Sequence, residues 1–77
     1  MIAPDEFDRT LRQFLGSDPF IPFFVEMNDG ERILIKHPEL AFGGGGAAFF
    51  DPREGTLVDF SHQQVVGFTP YSEKVGQ

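Results

Sequence analysis

The sequence contains no cysteine and no tryptophan, one tyrosine, and six lysines and arginines against twelve aspartates and glutamates. Without cysteine there is no disulfide staple, no thiolate zinc site and no thiol nucleophile, so packing alone must hold the fold. The formal net charge of −6 opposes non-specific attachment to phosphate backbones or anionic lipid, although it is compatible with a local basic patch. No apolar run approaches the roughly 20 residues of a membrane span. The first residues carry Asp5 and Glu6 where a signal peptide would carry Lys or Arg. The expectation is a cytoplasmic chain with no membrane contact. Its 77 residues fit one domain, because two halves would each be too small for an independent core. What the chain has in quantity is phenylalanine, ten copies within a 40 % apolar composition. Most of the burial capacity therefore rests on one side-chain type.

Pro4, Asp5 and Glu6 suit a helix first turn, where proline loses no needed N–H and carboxylates meet the positive end of the dipole. Phe7, Leu11, Phe14 and Leu15 follow at the spacing of one helical face, and Gly16 through Pro19 ends the element, predicting a helix over 4–15. From Phe20 the period becomes two, with Phe23, Val25 and Met27 on one side of a strand and Phe24 and Glu26 on the other. Pro22 points to a strand that begins at a sheet edge. Asn28-Asp29-Gly30 is a hairpin signal, and Glu31 to Lys36 supplies the returning strand until His37-Pro38-Glu39 bends or ends it. Gly43 to Gly46 reads as a flexible connection or severe bend. Further strands are predicted at Ala47 to Phe50, Thr56 to Phe60 and Val65 to Thr69, with turns at Asp51 to Gly55 and Ser61 to Gln64. Phe23, Val25, Ile33, Ile35, Val58 and Phe60 form the expected core. The fold class is mainly β: an N-terminal helix and a five-stranded, strongly bent SH3-like small barrel over 1–70, with a flexible tail at 71–77. Apolar residues on both strand faces, at Phe24, Leu34 and Phe49, exceed what one small core absorbs. Either the helix or a second copy covers the surplus.

Three stretches carry a resemblance: Phe7 to Arg12, Phe23 to Gly30, and Leu57 to His62 followed by Val65-Val66 and Pro70. In this order they resemble the Sm-like superfamily, and within it the bacterial RNA-chaperone branch, Hfq. The resemblance covers about half the chain and implies a ring that binds single-stranded RNA, with His62 the one family residue carried over; the candidate RNA-binding residues are His62, Phe60, Ser61, Arg32 and Lys36. Departures fall at that site. Ser61 occupies the lysine position of the family's second motif, Pro4 aligns with a uridine-contacting glutamine, and the basic stretch after the helix is replaced by residues 13–18. A six-membered ring would carry roughly −36, a field that repels phosphate unless Arg9, Arg12, Arg32 and Lys36 gather on one face. The chain also resembles small uncharacterised bacterial proteins reading PF-x-PF, DG and HPE, here Pro19 to Phe23, Asp29-Gly30 and His37 to Glu39.

Catalytic constellations are sparse. The glycine run lacks the Lys-Ser/Thr and helix that a phosphate loop needs. His37 and Glu39 share no ligand spacing with His62 or Asp59, and adjacent Ser61 and His62 point to opposite faces of an extended segment. No catalytic, cofactor or metal residue is assigned. The reading is a non-enzymatic, homo-oligomeric interaction module with an unidentified protein partner, and RNA binding is the alternative.

Overall fold

Helix α1 spans Pro4–Leu15, the predicted range, with Asp5 and Glu6 in its first turn and Arg12 in its last. The Glu6 amide donates to Asp5 Oδ1 at 3.0 Å. The Gly16 amide closes the other end by donating to the Arg12 carbonyl at 3.0 Å, at φ −90°, so no left-handed residue is needed there. Phe7 and Leu11 are fully buried, and Phe14 and Leu15 pack half-buried beside them. The computed structural model describes residues 2–71, so the tail expected at 71–77 lies outside the described residues except for Tyr71. Among the described residues no helix is long and apolar enough to cross a membrane.

Six strands follow: β1 (Phe23–Met27), β2 (Arg32–Ile35), β3 (Ala41–Gly43), β4 (Gly46–Asp51), β5 (Thr56–Ser61) and β6 (Val65–Pro70). They form two antiparallel three-stranded sheets, ordered β2-β1-β6 and β3-β4-β5. The mainly-β class is therefore as expected, with two corrections. Among the described residues there are six strands rather than five, and they lie in two three-stranded sheets rather than in one strongly bent five-stranded barrel. Pro38, which cannot donate to a ladder, falls in the segment between β2 and β3.

Asn28 to Gly30 makes the predicted turn: Gly30 donates to the Met27 carbonyl at 3.1 Å, Met27 donates to the Glu31 carbonyl at 2.8 Å, and Gly30 holds φ +91°. The glycine run is a tight hairpin turn rather than a flexible connection. Gly43 pairs with Gly46, and Gly44 and Gly45 between them hold φ +62° and +87°, the sign of φ that a two-residue turn between twisted strands requires at both positions. Pro22 does not mark an edge, since β1 is the central strand of its sheet. Standing just before Phe23, Pro22 forfeits no ladder donor, and its carbonyl accepts from the Tyr71 amide at 2.9 Å.

The two sheets and α1 enclose Phe7, Leu11, Phe23, Val25, Ile35, Ala47, Phe60 and Val65. Four of the six expected core residues are buried. Ile33 and Val58 are only half-buried because each lies toward the gap between the sheets, where they line a cleft. Phe68, opposite Val25 on β6, links the layers, with its ring centroid 5.9 Å from Phe7, 5.9 Å from Phe14 and 6.3 Å from Phe23.

Candidate functional site

Ser61 and His62 stand where β5 turns into β6. Ser61 accepts from the Gln64 amide at 2.9 Å through its carbonyl, while its amide and hydroxyl face Gln64 Oε1 at 3.0 and 3.4 Å. The His62 ring is engaged by the other end of the chain: Nδ1 lies 2.8 Å from the Ile2 carbonyl oxygen. A carbonyl only accepts, so Nδ1 carries the proton. Ile2 returns a bond from its amide to the His62 carbonyl at 3.2 Å, and the His62 amide donates to the Gly45 carbonyl at 2.7 Å. Gly45 then donates to Asp8 Oδ1 on the helix at 3.0 Å. His62, Gly45, Asp8 and Ile2 thus fasten the chain start and α1 to both turns.

Asp8 is a residue the sequence reading did not single out, and its role has no local signal, since its partner lies 37 positions away. Asp8→Ala is expected to cost about 1.5 to 3 kcal/mol, the range for a charge-assisted hydrogen bond to a buried group. Asp8→Asn, which keeps an acceptor, is expected to lose less. Urea titrations of both variants check this, and equal losses would show that the charge contributes nothing.

The other residues singled out from sequence lie elsewhere. Phe60 is buried at 3 % exposure, edge-on to Phe7 with centroids 6.0 Å apart. Arg32 and Lys36 belong to β2 and its end, in the opposite sheet, and line a cleft of about 880 Å³ that contains neither Ser61 nor His62. The five residues are therefore not gathered in one place. His37 and Glu39 line the same cleft, away from His62. Among the described residues no group of three or more His, Asp or Glu is arranged to hold a metal ion.

The outer faces of the two sheets differ. On β1 the outward Phe24 is covered by its own chain, with the Arg32 guanidinium 4.0 Å above the ring centroid and the Tyr71 ring at 5.7 Å. Glu26 holds Arg32 there through a 3.3 Å ion pair. On the second sheet, Phe50 and Leu57 are direct cross-strand partners and are 60 % and 67 % exposed. Leu57 belongs to β5, one of the two edge strands of that sheet, and Val66, 54 % exposed, lies on β6, an edge strand of the first. Comparison with protein-family models, curated proteins and solved structures finds no match to this chain.

Proposed function

We propose that the protein is a non-enzymatic interaction module that assembles with copies of itself through strand edges. The observation that carries this reading is the Phe50–Leu57 pair, two large apolar side chains directly opposite one another beside the β5 edge, 60 % and 67 % exposed among the described residues. A free strand edge beside an apolar surface is the surface that a neighbouring copy completes, by backbone hydrogen bonds and burial together. The Sm-like architecture is part of the same proposal. Its support is the order of elements, a helix first and then, among the described residues, a first strand paired with the last.

Sedimentation velocity at micromolar concentration is expected to give a multiple of the 8.6 kDa chain mass. Leu57→Lys is expected to shift that species toward monomer while leaving the circular dichroism spectrum unchanged, because Leu57 contributes little to the core. A wild-type protein that stays monomeric at and above micromolar concentration overturns the reading.

A further inference from the structure

The cleft lined by Arg32 and Lys36 lies along strand edges. Every residue from 32 to 37 lines it, as do consecutive residues 49–53 on and after β4. Side chains of one strand alternate between faces, so a cleft that meets six successive residues runs beside the strand rather than over one face. β2 is the end strand of its sheet, so this side of it has no strand neighbour. The hairpin fixes which of its groups look outward. Met27 bonds to Glu31, and the register continues through Val25↔Ile33 and Phe23↔Ile35, so the odd-numbered residues face β1. The amides and carbonyls of Arg32, Leu34 and Lys36 face the cleft. Across it, β3 pairs with β4 only from Gly46 to Ala48, leaving Phe49 to Asp51 without a neighbour on that side.

Two unpaired edges thus flank a gap with an apolar floor that includes Ile33, Phe49 and Val58. The rim carries Arg32, Lys36 and Arg53, half of the six lysines and arginines in a chain of net charge −6, together with His37 and the acids Glu39 and Asp51. Among the described residues only Arg32 is in an ion pair. We propose that this cleft captures an extended acidic segment of another protein, which adds as a strand to β2 with apolar side chains directed to the floor and carboxylates meeting Lys36 and Arg53. The free edges of a second copy fit less well. β6, Val65–Pro70, and β3, Ala41–Gly43, have no charged residue, β2, Arg32–Ile35, has only the cation Arg32, and β5, Thr56–Ser61, has only Asp59, so no edge strand answers two cations.

The test is a titration of the isotope-labelled protein with an acetylated, amidated heptapeptide, EVTVEVT, followed by amide chemical shifts. Expected are saturable shifts at Arg32, Leu34, Lys36 and Phe50. The peptide KVTVKVT is expected to bind about tenfold more weakly, the size of effect that two partly exposed ion pairs give. Methylating the backbone nitrogen of the central valine is expected to weaken binding by about fivefold through the lost ladder bond. Lys36→Glu combined with Arg53→Glu, both exposed positions, is expected to reverse the preference between the two peptides. The proposal is overturned by an absence of β2 shifts at millimolar peptide, or by equal affinity for both peptides. It is also overturned by β2 shifts that track protein concentration without peptide, which would make a second copy the occupant. Sedimentation tests the assembly through β5 and β6 separately.

Discussion

Phe60→Ala is expected to lower stability by about 3 to 5 kcal/mol, the range for removing a buried phenylalanine from a core that relaxes only partly. Phe60 is 3 % exposed, sits opposite Ala47 on β4 and stacks edge-on against the helix residue Phe7. Its loss opens a void at the junction of helix and second sheet, and Ala47 is too small to fill it. A domain of 77 residues has a total stability of about 4 to 12 kcal/mol, so a large share disappears with this one ring. The melting temperature should fall by about 12 °C at the least, given about 4 to 8 °C per kcal/mol at this size. Leu57→Ala, three residues earlier on the same strand but outward and 67 % exposed, is the control and should change stability by about 0.5 kcal/mol or less. Both are measured at one protein concentration, because assembly would add a concentration-dependent contribution. Equal melting temperatures for Phe60→Ala and wild type would show that the two faces of β5 have been assigned the wrong way round.

Gly45→Ala is expected to destabilise by about 2 to 5 kcal/mol, whereas Gly44→Ala beside it should cost only about 1 to 2 kcal/mol. Both glycines hold positive φ, +62° at Gly44 and +87° at Gly45, so both substitutions carry the penalty of a side chain in left-handed backbone. The difference lies in the space around them. A Cβ on Gly44 meets nothing within 4 Å, while one on Gly45 would lie 2.7 Å from His62 Cδ2 and 2.9 Å from Pro4 Cβ. Neither neighbour is the free end of a flexible chain, since the His62 ring is held by Ile2 and Pro4 begins the helix. Relief would require the helix start to move away from the turn, breaking the Gly45–Asp8 and His62–Ile2 bonds together. Thermal melts of the two variants give the comparison, and amide hydrogen exchange at Phe7 and His62 reports the loosening. Identical losses at the two glycines would remove the close-approach explanation and leave backbone conformation alone.

Much of the local structure was written in short-range pattern. The spacing of Phe7, Leu11, Phe14 and Leu15 and the punctuation by Pro4 and Gly16 determined helix and ends alike, because a helix is specified by neighbours within about four residues. Alternation likewise determined the inward sides of β1 and β5, and Asn28 to Gly30 determined the hairpin between β1 and β2. The three residues of β3 were not legible, since Ala41-Phe42-Gly43 has no period of its own and is a strand only by pairing with β4. The central position of β1 was hidden for the same reason: it depends on β6, about forty residues further on, taking the side that Pro22 was read as leaving open.

The functional surface divides along the same line. Composition and charge determined that the chain is acidic, lacks thiol chemistry and has more apolar strand surface than a small core can use. Only the tertiary structure decided where that surplus goes. Phe24 is covered by Arg32 and Tyr71, whereas Phe50 and Leu57 are left open. His62 is drawn into a latch with Ile2, 60 positions away, and Arg32, Lys36 and Arg53 are brought to one cleft from separate segments. Hydrogen bonds, ion pairs and shared clefts between distant residues exist only after the chain has closed on itself. Their partners are chosen by packing rather than by any pattern the neighbouring residues display.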